Sequence, residues 1–217
     1  MFHRAVAEYS VHELRARFEA DALAAAIESA NSSGLFLLGE RHNDAETPRA
    51  IYTLMRRLDL RSLALEWESD LRPVVDAYLA DGADATEALS EDGRIIEGHF
   101  ALLAQLHAEG RLERLILMDE TSREWSGDWT ERDAGMTRTL LRERDPAQPV
   151  LVVAGAFHTT LDAEGEPTLA ALIDKEIPGV PKGLLDYADG PRREGRFRRD
   201  RNGDFVFALP DGAPSPR

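Results

Sequence analysis

Val150-Leu151-Val152-Val153-Ala154-Gly155-Ala156-Phe157-His158 is an apolar run closed by a glycine, with a histidine three residues further on. Far earlier in the chain, Leu35-Phe36-Leu37-Leu38-Gly39-Glu40-Arg41-His42 follows the same plan. An unbroken apolar run of this length reads as a strand buried on both faces. The glycine is expected to break it, so that the next side chains emerge at the strand's carboxyl end. In open α/β sheets ligands bind at that edge. Two histidines and a glutamate delivered there make a candidate site.

Around these two runs, strand and helix signals alternate. Val11, Leu14, Phe18, Ala22 and Ala25 recur at helical spacing, which predicts an amphipathic helix over 11–30. Thr47-Pro48 reads as N-cap and first residue of the next helix, continued by Ile51, Leu54, Met55 and Leu58. Residues 62–67 form a second strand ending in Glu66 and Trp67. A helix near 71–80 stops at Gly82, and another covers about 96–109. Leu112 to Met118 is a third strand, closed by Asp119 and Glu120. Thr130-Glu131-Arg132-Asp133 resembles a capping box, which puts Arg132 near the second helical position. The strand at 149–154 and a helix near 167–175 continue the pattern. Leu184 to Tyr187 and Asp204 to Leu209 read as late strands around an arginine-rich turn. The expected fold is α/β: a mainly parallel β-sheet flanked by helices on both faces, with a C-terminal β-hairpin. One domain is expected over 1–210 and a disordered tail over 211–217.

Composition narrows the function classes. The chain has 217 residues, 43% of them hydrophobic, enough for one sizeable core. A formal net charge of −14 argues against a general nucleic-acid or anionic-membrane binder. No apolar run approaches the roughly 18 residues of a membrane span, and Met1 to Val6 lacks the apolar core of a secretory signal. There is no cysteine, which excludes disulfides and thiolate metal sites and makes a reducing cytoplasm the expected compartment. Against the acidic background, Arg192, Arg193, Arg196, Arg198, Arg199 and Arg201 form either a patch for an anionic partner or a solvated hairpin.

The polar residues that end the apolar runs converge. Glu40 and His42 follow the first strand, Glu66 closes the second, Asp119 and Glu120 the third, and His158 follows the fourth. Right-handed crossovers bring four parallel strand ends to one edge. A cation at the start of a helix opposes the macrodipole, so Arg132 is expected to face a carboxylate or an anionic substrate. A Glu66–Arg132 ion pair that only braces the fold is the plain alternative. His99 and His107 are expected on a helix surface, and Trp125 and Trp129 either at a pocket lip or packed on the core. No Gly-x-Ser-x-Gly elbow or phosphate-binding glycine loop is present. Two schemes suit the set. In one, a histidine tuned by a glutamate is general base on a water while arginine stabilises the oxyanion. In the other, His42, His158, Glu40 and Glu66 supply ligands to a divalent metal such as Zn, Mn or Co.

Leu38-Gly39-Glu40-Arg41-His42-Asn43-Asp44, Glu66, Arg132-Asp133-Ala134-Gly135-Met136 and Gly155-Ala156-Phe157-His158 together resemble a superfamily that unites the erythromycin esterases, the ChaN-like haem-binding lipoproteins and, more distantly, the TIKI/TraB metalloproteases. The likeness runs through most of residues 33–187 and is nearest to the ChaN-like branch. It implies an α/β sheet with the site at the strand ends. It also implies that His42 is the general base and that Glu40, Glu66, Arg132 and His158 are the other recurrent polar positions. The related proteases use a metal, whereas the esterases work with histidine and glutamate. The ChaN-like branch implies haem, for which Tyr9, Tyr52, Tyr78 and Tyr187 are the available phenolate ligands, and a homo-oligomer. This chain lacks the lipobox cysteine of those lipoproteins and is too short for the helical insert of the esterases. The expectation that remains is a cytoplasmic hydrolase of a small-molecule or peptide ester or amide, with a haem-binding protein as the alternative.

Overall fold

The computed structural model describes residues 11–85, 94–120, 128–160, 167–187 and 192–210. Tyr9, Trp125 and the 211–217 tail lie outside them. In chain order the strands are β1 (Ala16–Phe18), β2 (Leu35–Glu40), β3 (Ser62–Glu68), β4 (Arg114–Asp119), β5 (Val150–Gly155), β6 (Lys182–Asp186), β7 (Gly195–Arg199) and β8 (Phe205–Ala208). The helices are α1 (Ala20–Ser33), α2 (Thr47–Arg57), α3 (Arg72–Asp81), α4 (Glu97–Ala108), α5 (Trp129–Glu143) and α6 (Leu169–Glu176). All eight strands join one sheet in the order β1-β7-β8-β6-β2-β5-β3-β4. Every pairing is parallel except the antiparallel β7–β8 hairpin.

The apolar runs are buried on both faces, as their lack of alternation requires. Phe36, Leu38, Leu63, Leu65, Leu117, Leu151 and Val153 pack with α1 to α4 on one face. Leu35, Leu37, Ala64, Ile116, Val150 and Val152 meet Met136 and Leu140 of α5 and Leu169 and Ile173 of α6 on the other. This division positions the site. The chain leaves β2 for α2 on one face, and it leaves the adjacent β5 for α6 on the opposite face. Connections that diverge to opposite faces open a crevice at the carboxyl ends of the two strands. His42 and His158 are carried on the segments that leave those two strands.

Several expectations change. The helix foreseen over 11–30 is a short strand, β1, followed by α1. The helical spacing of Val11, Leu14 and Phe18 is overridden by tertiary contacts. Leu14 N–H donates to Thr53 Oγ1, and Phe18 stacks on Phe197 of the partner strand with centroids 5.1 Å apart. Gly82 ends α3 as expected, in the left-handed region at φ 72°. The arginine-rich segment is itself a strand, β7, rather than a turn. Arg192 pairs with Asp186, Arg196 with Glu19, and Arg199 lies over the Phe205 ring. Those three arginines are thus engaged within the protein. Among the described residues no helix is long and apolar enough to cross a membrane.

The two glycines differ in how they meet the expectation: Gly155 is the last residue of β5, while Gly39 lies inside β2 as its penultimate residue. What they supply is space. A Cβ on Gly39 would collide with Thr159 Oγ1 and come within 3.2 Å of Ala156 Cα, while one on Gly155 would lie 2.8 Å from His42 Nε2. Thr159 Oγ1 is held by its donation to Ala156 O at 3.0 Å, so it cannot simply rotate away without losing that bond. Gly39→Ala is therefore expected to lower stability by about 1–3 kcal/mol as an overpacked site, read as a shift in the urea midpoint.

Candidate active site

Glu40, the last residue of β2, is 7% exposed. Its Oε1 lies 2.9 Å from His42 Nδ1, and its Oε2 is buried with no hydrogen-bond partner among the described residues. Burial raises the Glu40 pKa, although His42 beside it pulls the other way. The loop that carries His42 is fixed from outside. Tyr187 OH accepts from Arg41 N–H at 2.9 Å and shares a hydrogen bond with Thr47 Oγ1 at 2.7 Å. The Arg41 guanidinium stacks over the same ring at 4.6 Å. Thr47 is the first residue of α2, with Glu46 at the N-cap position making no side-chain capping bond, and its hydroxyl serves the loop instead of the helix.

His42 has a third of its side chain exposed. The Glu40 carboxylate on Nδ1 raises its pKa above the ordinary 6.5, against the opposing effect of burial. With Nδ1–H donating to Glu40, Nε2 carries the lone pair. That nitrogen faces Glu66 Oε2 at 3.7 Å, too far for a hydrogen bond.

Glu66 is 3% exposed and fully engaged. Oε1 accepts from Arg132 Nη2 at 2.6 Å, and Oε2 accepts from Gly155 N–H at 2.7 Å. Burial works to raise its pKa, but His158, Arg132 and the Gly155 amide outweigh it and hold the carboxyl well below the usual range. The Glu66–Arg132 ion pair foreseen as the plain alternative is therefore present, and it stands between the two histidines.

Arg132 also donates to Asp119 Oδ2, from Nε at 3.0 Å and Nη2 at 2.8 Å, and Arg94 Nη1 reaches the same oxygen at 2.9 Å. The helix of Arg132 starts earlier than expected. Asp128 is its N-cap, accepting from Thr130 and Glu131 N–H, so Arg132 is the fourth helical residue. Glu120, grouped with Asp119 in the sequence, points elsewhere and pairs with Arg142 at 2.7 Å.

His158 is 3% exposed, with Nδ1 2.5 Å from Asp133 Oδ1. The other Asp133 oxygen accepts from Leu169 N–H at the start of α6. On the far side of the ring, Nε2 lies 3.2 Å from Arg132 Nη1 and 3.4 Å from Glu66 Oε1. A bond from Arg132 needs a neutral ring, whereas a bond to Glu66 needs Nε2–H. Charge decides between them. Glu66, Asp119 and Asp133 are three buried carboxylates facing two guanidiniums, and an imidazolium closes the balance. Burial opposes that charge, but Asp133 and Glu66 raise the His158 pKa to about 9. The two histidines are therefore unlike: His158 is a buried cation, and His42 is the accessible base.

All five residues expected at the site, Glu40, His42, Glu66, Arg132 and His158, lie in this network. Asp133 and Arg94 were missed as members of it. Asp133 had a signal, because Asp133, Met136 and Leu140 share one buried face of α5 at i, i+3, i+7. Arg94, just ahead of α4, had none. His99 is not on the surface. It is 2% exposed, its Nδ1 accepts from Ile96 N–H, and its ring sits edge-on to Trp67. His107 is exposed as expected.

The donor set does not suit a metal held by His42, His158, Glu40 and Glu66. The Arg132 guanidinium occupies Glu66 Oε1, and both nitrogens of His158 are already taken up by Asp133 on one side and by Arg132 and Glu66 on the other. Among the described residues no group of three or more His, Asp or Glu side chains is arranged as a metal site. The described tyrosines suit haem no better. Tyr52 donates to Glu109 at 2.7 Å, Tyr78 is buried against Phe100, and burial pushes the Tyr187 hydroxyl up to about 12.

No protein-family model matches the chain, and no curated protein does. Solved structures do share its fold. The type III effector HopBA1 is similar at a TM-score of 0.56 and 15% identity, over 94% of this chain and 100% of that one. A protein from Bacillus cereus is similar at 0.59 and 9% identity, over 100% and 81%. A structure of Pasteurella multocida toxin, described as having a thiol-protease like catalytic triad in its C-terminal region, is similar at 0.52 and 13% identity. This chain matches 97% of its own length to that toxin but spans only 27% of the toxin chain. At such identities the likeness is one of fold, and with no cysteine here a thiol nucleophile has no counterpart.

Two outcomes follow from the network. Arg132→Met leaves Glu66 and Asp119 buried with half their compensation, so chemical denaturation should show a loss of about 3–5 kcal/mol. The raised pKa of His158 contributes stability that is fully present below about pH 6.5 and lost as pH rises through about 9. The melting temperature should accordingly fall across that window in the wild-type protein, and His158→Gln should flatten the fall.

Proposed function

We propose that this protein is a hydrolase in which His42, oriented by Glu40, activates a water for attack on an ester, amide or peptide carbonyl. The observation that carries the reading is the asymmetry of the two histidine–carboxylate pairs. Each ring has its Nδ1 on a carboxylate, yet only His42 is partly exposed and keeps an Nε2 without a hydrogen bond among the described residues. A base must be oriented by one nitrogen and available at the other. Glu40 fixes the tautomer, and Nε2 takes the proton from a water lodged between His42, Glu66 and the Gly155 backbone. Arg132 and His158 stand behind Glu66, their charges balanced by Glu66, Asp119 and Asp133, and fix that carboxylate beside the water. His42 then returns the proton to the leaving group. The resemblance of the Glu40–His42, Glu66, Arg132 and His158 motifs to the erythromycin esterase and ChaN-like superfamily supports the same assignment, as does the opening of the crevice at β2 and β5.

A screen of small esters and peptides tests this. On any substrate found, His42→Ala should lower kcat/KM by about 10²–10⁴-fold with the melting temperature nearly unchanged, because the ring is partly exposed. The base works only when neutral, so the rate should climb with pH through a midpoint above 6.5, and Glu40→Gln should move that midpoint down. Turnover should survive EDTA. Activity that persists in His42→Ala would sink the mechanism.

A further inference from the structure

Three large hydrophobic side chains stand out as exposed among the described residues, and two of them are neighbours at the site. Trp129 is 46% exposed and Phe157 53%. Their ring centroids lie 6.1 Å apart, tilted by 55°. Trp129 sits 5.4 Å from the His158 ring and 5.7 Å from Arg132 Cζ, and Phe157 meets His158 edge-on at 6.2 Å. Both rings are rigidly mounted. Trp129 is the first residue of α5, directly after the Asp128 cap. Phe157 lies in the tight turn after β5, where His158 N–H donates to Gly155 O and Thr159 N–H to Ala156 O.

A ring that merely shielded the buried charges would need one face, and half of each ring is left in water at a hydrophobic cost. Paired aromatics held stiffly beside a polar centre form an apolar contact surface at little entropic cost. We propose that Trp129 and Phe157 form a specificity subsite that takes a flat apolar group of the substrate, an aryl or similar moiety, on the side of the site occupied by His158 and Arg132. The hydrolase reading places the carbonyl, and the aromatic pair places the group attached to it.

The test has a binding arm that needs no turnover. Protein labelled with 5-fluorotryptophan gives fluorine resonances for its three tryptophans, and Trp129→Phe identifies the one of interest. Titration with 2-phenylethanol should shift the Trp129 resonance saturably, ethanol should not, and Phe157→Ser should weaken the binding about 10-fold, the worth of one aromatic contact. The kinetic arm compares 4-nitrophenyl phenylacetate with 4-nitrophenyl acetate; the ratio of kcat/KM should favour the aryl ester and fall about 10-fold in Phe157→Ser. A Trp129 resonance indifferent to 2-phenylethanol, or a kinetic ratio that Phe157→Ser leaves unchanged, overturns the subsite. Saturable binding with neither ester hydrolysed upholds the subsite and overturns the hydrolase reading instead.

Discussion

The carboxylate of Glu66 is the constraint around which the site is built. It lies near the end of β3, one strand in from the sheet edge and out of water, and must be compensated there or not be charged at all. The compensation comes from four directions: a guanidinium from α5, a second guanidinium, Arg94, from the segment ahead of α4, a backbone amide from β5 and an imidazolium from the turn after β5. Each of these is fixed in turn. Arg132 is braced by Asp119, and His158 by Asp133, which itself receives the first amide of α6. Elements from both faces of the sheet thus meet at one buried negative charge. His42 stands just outside this ring of bonds, close enough to feel its field and far enough to keep one nitrogen available.

Much of this was written in the pattern of residues. Unbroken apolar runs such as 150–154 require burial on two faces, and that requirement places helices on both sides of a parallel sheet. Polar residues at the ends of those runs must then share an edge, which located Glu40, His42, Glu66 and His158 before any contact was known. The errors came where local pattern and tertiary demand diverge. Spacing at 11–18 is helical, but the sheet edge offered Phe18 a stacking partner in Phe197. His99 looks like a surface histidine, yet it caps its own helix inside the core. Arg94 shows no periodicity, because its role depends only on where a loop passes. The glycine reading holds for Gly155, which ends β5, but not for Gly39, which lies inside β2; both also leave room for Thr159 and His42.

The acidity of the chain and the neutrality of the site are separate matters. A net charge of −14 is spread over the molecule, while at the sheet edge Glu66, Asp119 and Asp133 each have a cation within hydrogen-bond reach. Such local balance lets a base of moderate strength coexist with several carboxylates. It also explains why two histidines in similar sequence settings differ in protonation: one closes a charge balance, and the other is held by a single carboxylate at the rim.

The strand order carries a consequence for how the chain is made. β1, near the start, pairs only with β7, near the end, whereas β2, β3, β4 and β5 form a contiguous block whose members all lie within residues 35–155. A chain emerging from the ribosome can therefore assemble the strands that bear the site while the residues beyond 155 are still unsynthesised. β1 must wait, its edge unsatisfied, until the β7–β8 hairpin arrives. Closure of that side of the sheet is then a late event that joins residues 16–18 to residues 195–197, after the crevice has taken shape.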